Sequence, residues 1–181
     1  MTDRKADARA EAFARRKVLF AAGQGQAAEI LADFLAEQAG RVLAGYMPMR
    51  TEIDPLPAMA AHRGPVGVPV ILGAATPLRF REWSPGAKMV EGAFKALIPE
   101  DGTWVEPEVL IVPLLAWDAR GYRLGYGGGF YDRTLEGLRR RAKVLAVGFA
   151  FAGQEVAEVP IDAFDQRLDV MVTERGVFFF R

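Results

Sequence analysis

The 181-residue sequence contains no cysteine and a single histidine, His62. The absence of cysteine excludes disulfide bonds, thiolate nucleophiles and cysteine-ligated zinc or iron–sulfur sites. One histidine gives little support for a His-rich metal centre or a Ser-His-Asp triad. We interpret His62, which stands beside Arg63 and Gly64, as a helix-capping or surface residue.

An excess of charge and a long apolar run are also missing. With 23 basic and 23 acidic residues the formal net charge is zero, whereas nucleic-acid-binding proteins usually carry a basic excess. No segment reaches the about 20 apolar residues of a membrane span, and the N-terminus MTDRKADARAEAFARR lacks the apolar core of a signal peptide. We therefore predict a cytoplasmic protein without nucleic-acid or membrane partners. Its length predicts one domain over residues 1–181.

Helical and extended patterns alternate along the chain. Helices are predicted from Thr2 or Asp3 to about Ala22, over 26–39, briefly from Asp54-Pro55, and over 130–141. Strands are predicted over 41–47, 66–72, 78–83, 109–112, 144–150 and 170–173. Pro69 indicates an edge strand or a bulge, and residues 83–108 are typical of a long loop or hairpin region. The alternation predicts an α/β three-layer sandwich with a mainly parallel, open sheet.

The first predicted helix is amphipathic and basic. Its predicted apolar face consists of residues at helical spacing, namely Ala6, Ala10, Phe13, Lys17 and Phe20. Its basic residues are Lys5, Arg9, Arg15 and Arg16. They fit a solvated face paired with Asp7 and Glu11. Alternatively, Lys5 and Arg9, which are four residues apart on one face, extend over a polyphosphate.

The stretch from Leu110 to Leu135, LIVPLLAWDARGYRLGYGGGFYDRTL, carries the most chemical information. An apolar strand ends at Pro113, and a turn follows at 118–121. Next come four glycines, at 125, 127, 128 and 129, and the start of a helix at about Phe130. Glycines allow backbone N–H groups to approach a phosphate, and a helix N-terminus adds partial positive charge.

Two side chains beside these glycines fit an anion site. Arg123 would supply a planar fork of donors to phosphate oxygens, and Asp132 stands where a phosphate-bound Mg²⁺ needs a protein ligand. The loop matches neither GxGxxG nor the P-loop pattern GxxxxGK[ST]. A tight glycine turn without a ligand therefore remains the alternative.

The pattern RLGYGGGFYDR, preceded by IVPLLAWD, resembles the signature of the 5-formyltetrahydrofolate cyclo-ligase family, also called methenyltetrahydrofolate synthetase. The early Lys5 and Arg9 and the segments MRTEID, GAFKALIPE and VPIDAFDQRLDVMVTE follow the family's order, so the resemblance covers nearly the whole chain. It implies a Rossmann-like fold similar to the NagB/RpiA/CoA-transferase-like fold. It also implies an ATP- and Mg²⁺-dependent closure of 5-formyltetrahydrofolate to 5,10-methenyltetrahydrofolate, through a phosphorylated formyl group, with release of ADP and phosphate.

The same resemblance implies roles for individual residues. The ATP-binding residues would be Lys5, Arg9, Arg123, Leu124, Gly125, Tyr126, Gly127, Gly128, Gly129, Phe130 and Tyr131. Of these, Arg123 and Tyr131 would also act in catalysis. The folate-binding residues would be Met47, Glu52 and Tyr126, with Phe94 as a further residue that could pack on the pterin. Asp132 and Asp165 would bind magnesium, and Asp165 also fits a helix or turn cap.

Two other functions remain open at this point. One is a folate- or nucleotide-binding relative without turnover. The other is a sugar-phosphate isomerase-like enzyme on a related fold, which needs a carboxylate or histidine base. For the cyclo-ligase we expect reduced folate and ATP as small-molecule partners, and a monomer or weak homodimer.

Overall fold

The computed structural model describes residues 3–181. Its α-helices are α1 (Arg4–Ala22), α2 (Ala27–Ala36), α3 (Leu56–Ala61) and α4 (Phe130–Arg141). Its strands are β1 (Leu43–Ala44), β2 (Val66–Val70), β3 (Arg79–Glu82), β4 (Met89–Glu91), β5 (Leu97–Pro99), β6 (Trp104–Val105), β7 (Val109–Val112), β8 (Ala116–Trp117), β9 (Arg123–Leu124), β10 (Leu145–Phe149), β11 (Val170–Thr173) and β12 (Gly176–Phe179). None of the helices in this range is long and apolar enough to cross a bilayer.

The main sheet has eight strands in the order β12-β11-β10-β7-β1-β2-β3-β6. The strands from β11 to β2 pair in parallel, whereas β12, β3 and β6 are antiparallel to their neighbours. The chain runs from β1 to β2 in one direction and from β7 to β10 and β11 in the other. The strand order therefore reverses between β1 and β7, and open α/β sheets bind ligands beyond the carboxyl ends of the strands at such a point.

Helices cover both faces of this sheet, and β7 shows why its sequence is continuously apolar. Val109 and Ile111 pack in the core that contains α2 and α3. Leu110 and Val112 face the other way, into the core that contains α4. All four residues are fully buried, as expected for a strand enclosed on both faces. The predicted α/β sandwich with a mainly parallel sheet is confirmed.

The ends of α1 match the prediction, but its buried face does not. The Asp3 side chain accepts the Lys5 N–H at 3.0 Å, and Gly23 ends the helix with a φ of 93°. Thr2, the alternative cap, lies outside the described residues. The predicted apolar face is wrong, since Ala12 and Arg16 are the buried residues, while most of its members are exposed, namely Ala6, Ala10, Lys17 and Phe20. The reason is that α1 packs on the β8–β9 hairpin through small side chains such as Ala12. Its Arg16 forms hydrogen bonds with Thr51 and Leu114 in neighbouring segments, so no broad apolar stripe is needed.

Several predicted boundaries shift. The strand predicted over 41–47 is reduced to β1, because the chain then enters a loop that the Tyr46 hydroxyl closes by donating to the Ile53 carbonyl at 2.7 Å. The second helix ends at Ala36 instead of Ala39, and turns follow it. The edge position predicted from Pro69 is wrong, since β2 lies between β1 and β3. The pairing of β2 with β1 ends at Gly67, before Pro69 is reached. Pro69, which has no N–H, is therefore not required to donate a hydrogen bond to β1.

Residues 83–108 form a hairpin region, which was one of the two predicted alternatives, the other being a long loop. Strands β4 and β5 pair in an antiparallel hairpin, and β6 adds to β3 at the sheet edge. The hairpin tip holds Phe94 and Lys95 at φ values of 55° and 62°. Such left-handed conformations are uncommon for residues other than glycine and often occur at functional sites.

Candidate active site

The candidate site lies where the strand order reverses. Three segments meet there: the loop after β1 with Met47, Thr51 and Glu52, the segment after β7 with Leu114, and the glycine loop 125–129 between β9 and α4. Helix α1 crosses all three through side-chain hydrogen bonds. We call the space bordered by these segments the switch-point crevice.

The glycine loop leads directly into α4, which begins at Phe130 as predicted. Gly127 and Gly129 have φ values of 100° and 70°, and Gly129 is the N-cap residue. Arg9 lies against this loop, with its Nε donating to the Gly125 carbonyl at 3.0 Å. A Cβ atom added to Gly127 would lie 3.2 Å from the Arg9 guanidinium carbon. The positive φ of Gly127 therefore favours glycine at this position, and a larger residue would also displace the Arg9 guanidinium by a few tenths of an ångström.

A buried ion pair joins the base of the loop to α4. Arg123 in β9 is buried, and its Nη1 donates to Asp132 Oδ1 at 2.9 Å. The backbone N–H of Gln166 donates to the same oxygen at 3.0 Å. Within residues 3–181, Asp132 Oδ2 accepts no hydrogen bond. The carboxylate is thus held by one oxygen while the other stays open to a ligand.

Lys5 and Asp165 meet at the edge of the crevice. Lys5 Nζ lies 2.8 Å from Oδ2 of both Asp162 and Asp165. Burial disfavours the charged amine, but these two carboxylates outweigh it and raise the pKa of Lys5. Asp165 also accepts the N–H of Asp162 at 2.8 Å, which is a turn-capping contact. Lys5 does not pair with Asp7 or Glu11 in the described residues, so the solvated-face interpretation is wrong for this lysine.

Glu52 is a buried carboxylate beside the glycine loop. Its Oε2 accepts the Met49 N–H at 2.9 Å, and its Oε1 accepts the Tyr126 hydroxyl at 2.6 Å. Burial raises the pKa of Glu52, although both hydrogen bonds and the charges of Arg16 and Arg50 oppose the shift. Each oxygen has accepted one hydrogen bond from the protein and can accept another from a ligand.

Arg16 belongs to this group, and the sequence interpretation missed it. The side chain is buried, with 1% exposure. Its Nε donates to Thr51 Oγ1 at 3.0 Å, and its Nη1 donates to the Tyr126 hydroxyl at 2.5 Å and to the Leu114 carbonyl at 3.3 Å. The solvated-face interpretation is therefore also wrong for Arg16. Its spacing of seven residues from Arg9, two helical turns on the same face, was the signal that could have identified it.

The remaining predicted residues lie around these contacts. Tyr131 in α4 is partly buried, and burial together with the charge of Glu52 raises its pKa, so the phenol stays neutral. The Leu124 side chain is buried in the core beneath α1, which leaves only its backbone for a ligand. Met47 packs partly against the core. Phe94 is 72% exposed at the hairpin tip, 6.4 Å from the Phe130 ring centroid.

His62 lies away from the crevice. It is the C-cap residue of α3, and its Nε2 lies 2.8 Å from the Arg41 carbonyl oxygen. Arg41 precedes the first residue of β1, so this contact is at the opposite end of that strand from the crevice. The predicted capping role of His62 is confirmed.

The carboxylates of the crevice fit a metal that arrives with a phosphate ligand. Among residues 3–181, no cluster of three or more histidine, cysteine, aspartate or glutamate side chains is arranged to hold an ion. Mg²⁺ is usually bound by one or two protein carboxylates together with substrate phosphates, rather than by a cage made of protein alone. Asp132, with one open oxygen, suits this arrangement. Asp165 would have to share its carboxylate with Lys5.

Comparison with known proteins agrees with this geometry. The 5-formyltetrahydrofolate cyclo-ligase of Mycolicibacterium smegmatis is 32% identical over 183 residues, and the alignment covers 92% of each chain. The enzyme of the same name from Escherichia coli K12 is 39% identical over 106 residues. That alignment covers 56% of this chain and spans only 58% of the length of the Escherichia coli protein.

Solved structures have the same architecture. The NMR structure of 5,10-methenyltetrahydrofolate synthetase from Aquifex aeolicus superposes with a TM-score of 0.77 and 31% identity, covering 98% of this chain and 93% of the other. The Mycoplasma pneumoniae synthetase, at 19% identity, shares the fold with a TM-score of 0.73, and the superposition covers 95% of this chain and 99% of the other. The family model described as the 5-formyltetrahydrofolate cyclo-ligase family matches residues 1–174. With nearly the whole chain matched, this protein belongs to the 5-formyltetrahydrofolate cyclo-ligase family.

Proposed function

We propose that this protein catalyses the ATP- and Mg²⁺-dependent cyclisation of 5-formyltetrahydrofolate to 5,10-methenyltetrahydrofolate, with release of ADP and phosphate. The observation that carries the proposal is the 2.6 Å hydrogen bond from Tyr126 in the glycine loop to Glu52. It brings a loop suited to phosphate and a buried carboxylate suited to a pterin into one crevice. Family membership supports the same activity.

The nucleotide would lie along the glycine loop. Backbone N–H groups of residues 124–131 and the N-terminus of α4 favour a triphosphate. Arg9 and Lys5 add positive charge from α1, and Arg123 adds it from β9. Asp132, with Asp165 as a second ligand, would hold the magnesium ion. Bound magnesium would neutralise charge on the phosphate oxygens during transfer.

The folate would bind on the other side of Tyr126. Glu52 can accept hydrogen bonds from the 2-amino group and the ring N–H of a pterin. Met47 and Tyr126 would pack against the pterin, and Phe94 could add a further aromatic contact from the hairpin. These side chains orient the formyl group toward the glycine loop.

The chemistry would proceed in two steps. The formyl oxygen first attacks the γ-phosphorus, so that an O–P bond forms and the bond to ADP breaks. The folate N10 then attacks the formyl carbon and loses its proton, and the C–O bond breaks with departure of phosphate. Positioning and electrostatics supply most of the rate enhancement in such a transfer. Arg123 would stabilise the moving phosphoryl group, and the neutral phenol of Tyr131 would orient it.

Turnover of purified protein tests the proposal directly. Incubation with 5-formyltetrahydrofolate and Mg-ATP is expected to give the methenyl absorbance and an equal amount of ADP. Binding of both ligands without product would instead identify a non-catalytic relative. Thermal protection by sugar phosphates, and none by ATP, would favour the isomerase-like function.

The proposal includes the setting of the enzyme. We expect residues 1–181 to act as a single catalytic domain. We also expect a cytoplasmic monomer or weak homodimer whose partners are reduced folate and ATP, without nucleic acid or membrane. Size-exclusion chromatography with light scattering measures the oligomeric state.

A further inference from the structure

One donor of the buried Arg16 guanidinium is unused. Among residues 3–181, Arg16 Nη2 has no hydrogen-bond partner, although the side chain is only 1% exposed. Burial of a charged donor without an acceptor is costly, so such a group requires an explanation. The other two nitrogens are fully engaged with Thr51, Leu114 and Tyr126.

The position of this donor is set by those contacts. Thr51 lies in the loop after β1, and Leu114 lies directly after β7. The guanidinium is therefore held across the two strands between which the strand order reverses. The guanidinium carbon lies 5.4 Å from the Phe13 centroid and 5.5 Å from the Tyr126 centroid, and these two rings also contact each other, with their centroids 5.6 Å apart. Since the guanidinium is rigid and planar, Nη2 is fixed at the crevice together with the other two nitrogens.

Arg16 and Glu52 form a donor and an acceptor on either side of one phenol. Arg16 donates to the Tyr126 oxygen, and Tyr126 donates to Glu52. A 4-oxopterin carries the matching pattern on one edge, because its 2-amino group and ring N–H donate while the adjacent C4 oxygen accepts. If Glu52 accepts hydrogen bonds from the 2-amino group and the ring N–H, the adjacent C4 oxygen needs a hydrogen-bond donor from the protein beside Glu52. The opposite charges of Arg16 and Glu52 also balance each other around a neutral ring.

We propose that Arg16 is a substrate-binding residue whose Nη2 donates a hydrogen bond to the C4 carbonyl oxygen of the pterin. The inference rests on the proposed function, because it names a further contact of the same substrate. It predicts selection for 4-oxo over 4-amino pterins, since an amino group at C4 would face the Arg16 donor with another donor. The ring nitrogen next to C4 also loses its N–H in a 4-amino pterin, so the contribution of Arg16 is measured by the change in this preference in the Arg16 variants.

Binding measurements on two ligands test this contact. The dissociation constants of 5-formyltetrahydrofolate and of a tetrahydrofolate analogue with an amino group at C4 are measured by calorimetry. Wild-type protein is expected to bind the 4-oxo ligand about tenfold or more tightly. Arg16→Met is expected to weaken 4-oxo binding by about tenfold and 4-amino binding by less than about twofold. Arg15→Met on the exposed face of α1 is the matched control and should change neither.

The outcomes separate this inference from the proposed function. Wild-type protein that binds neither folate overturns both. Wild-type protein that binds both folates equally overturns the Arg16 contact and also the Glu52 contact to the ring N–H. An Arg16→Met variant that loses affinity for both folates equally, while its Mg-ATP affinity is kept, overturns the Arg16 contact alone. If Arg16→Met does not fold, Arg16→Lys decides, because it keeps the charge but loses the planar fork. Its preference for the 4-oxo ligand is expected to fall, and an unchanged preference overturns the contact.

Discussion

The Tyr126 hydroxyl donates to Glu52 Oε1 at 2.6 Å, and this bond joins the glycine loop to the loop after β1. Tyr126 stands between Gly125 and Gly127, so a ligand that reshapes the loop must also move the phenol. Movement of the phenol changes the hydrogen bonding of Glu52. Binding at the loop and binding at Glu52 are therefore expected to be coupled, and each ligand should change the affinity of the other by the same factor.

Replacement of Tyr126 by phenylalanine tests this connection. Tyr126→Phe is expected to raise the KM for 5-formyltetrahydrofolate by about tenfold, which corresponds to the loss of a hydrogen bond to a charged group. That bond lowers the pKa of Glu52, so its loss moves the acidic limb of the kcat/KM profile to higher pH. The other groups that interact electrostatically with Glu52 are the same in the wild type and in Tyr126→Phe. They are Arg16, Arg50, Tyr46 and Tyr131.

A tyrosine outside the crevice provides the control. The ring of Tyr122 packs beneath the Arg120 guanidinium, 5.1 Å from its carbon. Tyr122→Phe is expected to leave the pH profile unchanged. An unshifted profile in Tyr126→Phe would contradict the connection.

Glu52 is expected to lower the stability of the fold at neutral pH, although it contributes to folate binding. Burial raises its pKa above the usual 4.5. A carboxyl group of this kind stabilises the fold below its unfolded pKa, and that contribution is lost as pH rises through the folded pKa. Glu52→Gln, which stays neutral, should therefore melt at a higher temperature than wild type at neutral pH. The difference should shrink below the usual pKa.

The same Glu52→Gln variant is expected to bind folate about 10–100-fold more weakly, because hydrogen bonds to a charged group contribute roughly 1.5–3 kcal/mol. Thermal unfolding across pH and calorimetric folate binding measure the two effects. Equal melting temperatures of both proteins at neutral pH would contradict the stability prediction.

Asp132→Asn should impair both magnesium use and stability. We expect turnover to fall about 100-fold and the Mg²⁺ concentration for half-maximal activity to rise, because an amide is a poorer ligand for a hard cation. Stability should decrease by about 1–3 kcal/mol, since buried Arg123 loses a charged partner. Asp169→Asn is the matched control, because Asp169 pairs with Arg139 and accepts the Ala146 N–H. If Asp132→Asn keeps the magnesium dependence of the wild type, Asp132 is a structural residue and not a magnesium ligand.

Gly127→Ala separates ligand binding from backbone strain. A φ of 100° disfavours alanine by roughly 1–2 kcal/mol, and the new Cβ would also press on Arg9. We expect lower stability together with an ATP KM raised by about tenfold. Gly23→Ala has a similar φ of 93° and open space around its Cβ, so it should lower stability without changing the KM for ATP. Equal ATP KM values in the two variants would remove the special role of the loop.

Elements with strong local signals were predicted well. Strand β7 is a continuous apolar run, and α4 starts immediately after the left-handed Gly129, because both features depend on residues close in sequence. For the β8–β9 hairpin, the sequence predicts only the turn at 118–121 and neither of the two strands. Its strands are only two residues each, too short to give a pattern.

The contacts of the crevice depend on residues far apart in sequence. Arg16 bonds to Thr51, Leu114 and Tyr126, which are 35, 98 and 110 residues away. A helical arginine next to Arg15 resembles a solvent-exposed residue unless these partners are known. The seven-residue spacing places Arg16 on the same helix face as Arg9, but the apolar pattern could not reveal its burial, because its partners are polar groups of other segments rather than an apolar stripe.

Helix α1 carries Lys5, Arg9 and Arg16, yet the two cores that flank the main sheet are built almost entirely from later residues. A protease that cuts α1 after Arg16 would therefore remove, in one cut, the cations that we propose for the phosphates and for the pterin. The shortened product would keep most of its packed interior while losing its ligands. Loss of activity in stored or tagged preparations is then expected to follow damage at the amino terminus before any general unfolding.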